Sequence, residues 1–235
     1  MSRLGNFTSS NIWKLMTNGR NKEDFGKPAL TYINEKRMEV KLGRDLNSDH
    51  NAKPTGWGQL VEQFAFDKLP IDYKFQAKTR YTHPTIDYWS GMPDAITDNC
   101  VMDIKCPWTM KSFCEGVEFF GDLELFKAEL PEYYWQLVSN AEILEKEFAE
   151  IIYFAPYQKD LVEIRELANN YEGDPNKVAF VNWASDEELP FIPDTCTEYK
   201  DLNVFRFKVP ESDKEALRNR VKMAIIELYG EDKKA

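Results

Sequence analysis

Histidine and cysteine are scarce in this sequence, with two of the first and four of the second among 235 residues. Neither His50 nor His83 has a neighbour at metal-ligand spacing, so no chemistry is assigned to either. Cys100, Cys106, Cys114 and Cys196 form no CxxC pair, and reduced thiols are the expectation. There is no apolar run of roughly eighteen residues, which excludes an ordinary membrane-spanning helix. The opening MSRLGNFTSS lacks the apolar stretch of a signal peptide, and a soluble cytoplasmic protein is expected. Internal repeats and low-complexity segments are absent too. The length allows one large domain or two small ones, and because the elements below interlock around one site, a single domain over 1–235 is expected.

Positive charge is also in deficit, with 30 Lys and Arg against 40 Asp and Glu, a formal net charge of −10. The deficit is uneven. Residues 1–50 carry nine basic and six acidic side chains, residues 51–114 seven of each, and residues 115–235 fourteen basic against twenty-seven acidic. Taken alone, this balance suits an acidic enzyme with a small substrate. A polyanion would have to be gripped by a localised face near the N-terminus, since phosphate contacts come from lysine and arginine.

What the sequence does contain is concentrated in GMPDAITDNCVMDIKCPWTMKSF, residues 91–113. Asp94 precedes a polar turn at Asp98-Asn99, and the run Cys100 to Lys105 has the length and apolar content of a buried strand. Asp94 and the Asp103/Lys105 pair are therefore expected on neighbouring strands of one hairpin. Strand side chains alternate between faces, so Asp103 and Lys105 point the same way. Two carboxylates with a free carbonyl suit a hard divalent cation such as Mg²⁺, and a lysine beside it can orient or help deprotonate an attacking water. By itself Asp-x-Lys also reads as scattered charge on a surface hairpin, because short motifs match by accident.

Around this hairpin, Thr8, Ser9 or Ser10 can N-cap a short helix with apolar Ile12, Leu15 and Met16, a terminus that favours anions. A helix over Ala29–Leu42 is expected to present Leu30, Ile33, Met38 and Leu42 and to stop at Gly43. A largely buried helix starts near Pro54 with Trp57, Leu60, Val61, Phe64 and Phe66, and carries Glu62. Asp72–Phe75 and Thr85–Trp89 read as strands completing an antiparallel sheet with the hairpin, with Lys78 and Arg80 as candidate contacts to a nucleic-acid backbone. Trp89 and Trp108 read as core. Pro131 opens a helix with Tyr134, Leu137, Val138, Ala141 and Leu144 on one stripe, and Ile151–Ala155 is a short strand. Residues 156–193 are poorly patterned. Leu202–Val209 reads as a strand, and Glu211–Tyr229 as a closing amphipathic helix.

Pro93-Asp94 followed by Asp103-Ile104-Lys105-Cys106-Pro107 resembles the PD-(D/E)xK nuclease superfamily, and the continuation CPWTMKSF narrows the resemblance to its lambda-exonuclease/YqaJ-like branch. The phrase R-L-G-x-x-T-x-S from Arg3 to Ser10 is similar to the branch's opening, and W-G-x-x-x-E from Trp57 to Glu62 to its first acidic motif. Gln136 resembles the glutamine that follows the active-site strand. Together these motifs span roughly Arg3 to Ala155. Two positions depart from the pattern of relatives. Asn140 stands where the RecB-like branch has tyrosine, which favours the lambda-exonuclease branch, and Asp103 stands where that branch commonly has glutamate.

The resemblance implies a restriction-endonuclease-like three-layer α/β core with a central mixed sheet flanked by helices. It implies Mg²⁺, with Mn²⁺ able to substitute and two ions present with substrate, held by Asp94, Asp103 and the Ile104 carbonyl with Glu62 close by. Lys105 would position the nucleophile, Gln136 would lie near the site, and Arg3 and Ser10 would bind a 5′-terminal phosphate. The implied activity is 5′-to-3′ exonucleolysis of double-stranded DNA ends to 5′-mononucleotides. It leaves a 3′ single strand for a single-strand annealing protein. A ring-shaped homotrimer, encoded by a phage or prophage and acting in a bacterial cytoplasm, is implied with it. An endonuclease or RecB-like repair nuclease on the same core, and a noncatalytic DNA-binding module, are the alternatives.

Overall fold

The computed structural model describes residues 4–21, 24–46, 53–69, 74–75 and 79–230. Arg3, His50, Asp72, Tyr73 and Lys78 lie outside the described residues.

A short strand β1 (Phe7–Thr8) leads into a 3-10 helix at Ser9–Met16, followed by α1 (Lys27–Leu42) and α2 (Lys53–Phe66). Five strands come next: β2 (Lys74–Phe75), β3 (Tyr81–Thr82), β4 (Trp89–Gly91), β5 (Ala95–Ile96) and β6 (Cys100–Lys105). Three helices, α3 (Met110–Glu118), α4 (Leu123–Glu129) and α5 (Pro131–Ile143), connect β6 to β7 (Phe148–Phe154). The chain closes with α6 (Leu161–Asn169), the short α7 (Phe180–Trp183), β8 (Leu202–Lys208) and α8 (Glu211–Tyr229).

The central sheet has the order β2-β5-β6-β7-β8. β5 and β6 pair antiparallel, Ala95 opposite Met102, and a Thr97 N–H to Cys100 O bond of 2.9 Å closes the polar turn. The acids are thus on one hairpin, as the spacing predicts. β6 and β7 pair parallel from Cys100↔Phe148 to Lys105↔Tyr153, so the sheet is mixed. Parallel neighbours need a covered crossover, which here is made of α3, α4 and α5.

Strand alternation sorts the core into two layers. Val101 of β6 and Ala149, Ile151 and Tyr153 of β7 pack toward α5, α8 and the N-terminal elements with Tyr134, Leu137, Val138 and Val221. Met102, Ile104, Ile152 and Phe154 pack on the other face against Trp57, Leu60 and Val61 of α2 and Ile164 of α6. Each fully buried side chain of this kind stabilises the fold by about 1.5–3 kcal/mol. Helices on both faces of a mixed sheet give the expected three layers.

Three sequence expectations need correction. Thr85–Tyr88 is a turn, with Tyr88 at φ +61°, and only Trp89 enters a strand. That strand, β4, belongs to a second sheet of order β1-β4-β3, pairing parallel with β1, and does not join the β5–β6 hairpin. In α1 the helix and its Gly43 stop are as expected, with Gly43 left-handed at φ +70°. However, Leu30, Met38 and Leu42 are exposed, and the buried face is Ala29, Tyr32, Ile33, Lys36 and Glu39. Tyr32 selects this face by packing edge-on against Phe7, while Lys36 and Glu39 pair at 2.9 Å and so tolerate burial. Finally, residues 110–129 hold two helices, and Leu161–Asn169 a third, in stretches that gave no firm pattern. Among the described residues, no helix is long and apolar enough to cross a membrane.

Candidate active site

Asp103 is 1% exposed on β6, facing α5. Its Oδ1 accepts a 2.6 Å hydrogen bond from Gln136 Nε2. Its Oδ2 has no hydrogen-bond partner of acceptable geometry and faces the Lys105 ammonium at 2.5 Å. Lys105 Nζ also reaches Gln136 Oε1 at 3.5 Å and lies 5.1 Å from the centre of the Tyr133 ring. Asp94, just before β5, anchors to the neighbouring strand: its N–H bonds Met102 O at 3.0 Å, and its Oδ2 accepts the Ile104 N–H at 2.7 Å. Glu62 approaches from α2 on the other layer and lines a cleft with Ile104 and Lys105. Ile104 lines this cleft although its side chain belongs to the core.

The electrostatics follow from this crowding. Burial, then Asp103, lifts the Glu62 carboxyl from the ordinary 4.5 to about 7, against the opposing pull of Lys105. Burial, then Asp103 and Glu62, holds Asp94 well above its ordinary value, with Lys105 and the Ile104 amide pulling back. Burial disfavours charge on Lys105, but Asp103 and Asp94 outweigh it and raise its pKa. Cys106 is pushed well up by burial and by Glu62 and Asp94, which keeps it a thiol. Three mutually repelling acids around one lysine are an oxygen-rich site short of positive charge. Asp103 Oδ2, which accepts no hydrogen bond of good geometry and is faced only by the Lys105 ammonium among the described residues, fits a hard divalent cation together with the raised acids. Among the described residues, no three His, Cys, Asp or Glu side chains already stand at metal-binding spacing.

On one flank of the carboxylates lies a pocket of about 100 Å³ lined by Thr8, Ser9, Ser10, Arg80, Ser90, Gly91, Met92 and Gln136. Thr8 stands at the N-cap of the 3-10 helix but makes no side-chain cap bond; its hydroxyl is 3.3 Å from Ser10 Oγ. Tyr32 fixes this turn by accepting the Thr8 N–H at 3.0 Å. Beneath it, Ser9 Oγ and Ser139 Oγ are 2.7 Å apart, and Trp89 Nε1 donates to Ser139 Oγ at 2.8 Å. Gly91 has to be glycine, since a Cβ there would lie 2.1 Å from Asn140 Oδ1 and 2.5 Å from Ser9 Oγ. Arg80 is exposed at the mouth, with long contacts of 3.5 Å to Ser90 Oγ and Met92 Sδ.

The structure therefore gathers Glu62, Asp94, Asp103, Ile104, Lys105 and Gln136 at one end of the sheet and places Ser10 in the adjoining pocket. Arg3 lies outside the described residues. Ser9 was legible as one of three candidate caps of an anion-favouring helix terminus, whereas sequence reasoning missed Ser90 and Tyr133. The tyrosine had a signal in its place one turn before Gln136 on the same helix, whereas Ser90 had none. His83 is structural, stacked on Trp89 at 4.7 Å with its Nδ1 accepting the Ile86 N–H at 3.0 Å.

No family model matches the chain, and no curated protein matches it in sequence. Solved structures do match. The alkaline exonuclease LHK-Exo from Laribacter hongkongensis superposes with a TM-score of 0.65 at 16% identity, over 97% of this chain and 90% of that one. LHK-Exo in complex with dAMP gives 0.64 with the same identity and coverage. A phage-related exonuclease from Haemophilus somnus 129PT gives 0.62 at 16% identity, over 96% of this chain and 93% of that one. The chain thus has the fold of phage-type alkaline exonucleases along nearly its whole length, the fold implied by the lambda-exonuclease/YqaJ-like resemblance.

Proposed function

We propose that this protein is a metal-dependent exonuclease that degrades double-stranded DNA from 5′ ends, releasing 5′-mononucleotides and leaving a 3′ single strand. The observation that carries the reading is Gln136. Its amide holds Asp103 and Lys105 on one side and lines the hydroxyl-and-arginine pocket on the other, so a chemistry site and an end-binding pocket share one residue. The exonuclease fold, shared over nearly the whole chain, supports the same reading.

Asp94, Asp103 and the Ile104 carbonyl would hold Mg²⁺ or Mn²⁺, with Glu62 close enough to take part. The ions would lower the pKa of the attacking water and neutralise charge on the departing 3′ oxygen. Asp103, fixed by Gln136, provides a rigid carboxylate. Lys105, kept protonated by its acidic neighbours, can orient the nucleophile and offset charge on the scissile phosphate. Ser10, Thr8 and Arg80 would grip the terminal phosphate by hydroxyl and guanidinium donors, one nucleotide from the bond to be cut. This sets the 5′ polarity. Lys105 and Gln136 then act on a substrate already placed, which is the larger part of such a rate enhancement.

The exposed Leu30, Met38 and Leu42 of α1 and Met223 and Ile226 of α8 support subunit contacts, and a homotrimeric ring would retain DNA without a uniformly basic surface. An annealing protein that takes the 3′ strand completes the proposal. The test is incubation with Mg²⁺ of linear duplex and of a closed circle, with a chelator arm and an Asp103→Ala control. Release of mononucleotides from the linear DNA alone, lost in both controls, is expected. Cutting of the circle would make the protein an endonuclease, and no cutting of either substrate would remove the catalytic reading.

A further inference from the structure

Helix α2 contains two glycines, and among the described residues only one is hemmed in by its neighbours. A Cβ on Gly56 would lie 2.0 Å from the Lys177 carbonyl oxygen, so close packing forbids it. A Cβ on Gly58 would meet no atom within 4 Å among the described residues. Gly58 nevertheless sits inside the helix Lys53–Phe66, where glycine is less favourable than alanine. Close approach of a ligand to the backbone is one use of glycine in such a place.

The space in front of Gly58 has a defined shape. Thr55, Gly58, Gln59 and Glu62 recur at helical spacing and form one wall of a cleft of about 250 Å³. Ile104, Lys105, Cys106, Pro107 and Tyr133 form the facing wall. Glu62 and Lys105 line this cleft, and Lys105 also meets Asp103 and Gln136, which borders the terminal-phosphate pocket. A strand whose first phosphate sits beside Ser10 and whose scissile phosphate sits at Asp103 can continue past Lys105 into this cleft. The lining fits a nucleotide, with apolar faces from Pro107, Cys106 and Tyr133 for the sugar and polar groups from Thr55, Gln59 and Lys105 for its oxygens.

We propose that this cleft seats the second nucleotide of the digested strand, on the 3′ side of the bond that is cut. Gly58 is bare so that the deoxyribose-phosphate of that nucleotide packs on the α2 backbone. The inference rests on the exonuclease reading and deepens it.

The test is a size series, Gly58→Ala and Gly58→Leu, read by melting temperature, by KM and kcat on 5′-phosphorylated duplex, and by DNA binding in chelator. Because the position is open, Gly58→Ala is expected to melt no lower than wild type. KM and the chelator Kd are expected to rise with side-chain size, by about tenfold to a hundredfold for leucine. A 5′-phosphorylated dinucleotide should inhibit wild type more tightly than the mononucleotide, and Gly58→Leu should erase that advantage. Unchanged KM and Kd in Gly58→Leu would overturn the seat. So would a lowered melting temperature in Gly58→Ala, which would make Gly58 a packing glycine. An inactive wild type would overturn the exonuclease reading alone, because chelator binding still tests the seat.

Discussion

Neutralising one acid of the site should stabilise this protein, and the amount depends on pH. The Glu62 carboxyl titrates near 7 in the folded protein instead of 4.5, first because it is buried and then because of Asp103. Between those two values the folded state holds a proton that the unfolded chain has released. Stability therefore falls as pH rises through this window and levels off above it. At about 1.4 kcal/mol per pH unit, the loss attributable to Glu62 approaches about 3 kcal/mol at pH 8. Glu62→Gln keeps the shape and removes the charge, so it should recover most of that at pH 8 and nothing near pH 4.5. For a chain of this length the gain corresponds to a melting temperature higher by about 6–12 °C. Relief of Asp94, whose carboxyl Glu62 also pushes up, acts in the same direction. The assay is thermal unfolding in chelator across that pH range, repeated with Mg²⁺, which should stabilise wild type more than the variant at pH 8. Equal melting of the two proteins at every pH would make Glu62 an ordinary solvated helix residue and refute the crowding argument.

Asp94→Ala, Asp103→Ala and Lys105→Ala should each abolish cleavage with far-UV circular dichroism unchanged; full activity in any one would remove that residue from the site. Arg80→Ala or Ser10→Ala should reduce the preference for a 5′-phosphate over a 5′-hydroxyl end by about tenfold to a hundredfold, the worth of a hydrogen bond to a charged group. Comparing initial rates on the two ends reads this directly, and an unchanged ratio would move the phosphate pocket elsewhere. Gly91→Ala drives a methyl group to within 2.1 Å of Asn140 Oδ1 and should destabilise the fold by about 1–3 kcal/mol, measured by denaturant unfolding.

The site was more legible in the sequence than the fold around it. Asp94, Asp103 and Lys105 are fixed by one hairpin, and a continuous apolar strand with a polar turn announces itself locally. Gln136 and Glu62 reach the same point from different layers, and only the motif resemblance tied them to it. Faces were harder to read than elements. In α1 the visible apolar row of Leu30, Met38 and Leu42 is exposed, because Tyr32 and the paired Lys36 and Glu39 make the buried face. Burial of an ion pair leaves no hydrophobic period to see. The turn at Thr85–Tyr88 was hidden by β-branched and aromatic residues that favour strands, an instance of tertiary context overriding propensity. Helices α3, α4 and α6 are short, and their buried sides rest on one or two residues each, too few for a period.

If an end-binding pocket feeds a carboxylate–lysine site across Gln136, linear duplex labelled at its 3′ ends and bearing either a 5′-phosphate or a 5′-hydroxyl is the substrate to digest in Mg²⁺. Mononucleotides are expected to leave from the 5′ end, faster on the phosphorylated substrate, with the 3′ label retained in long single strands. Early loss of the 3′ label, or equal rates on both ends, would overturn that coupling.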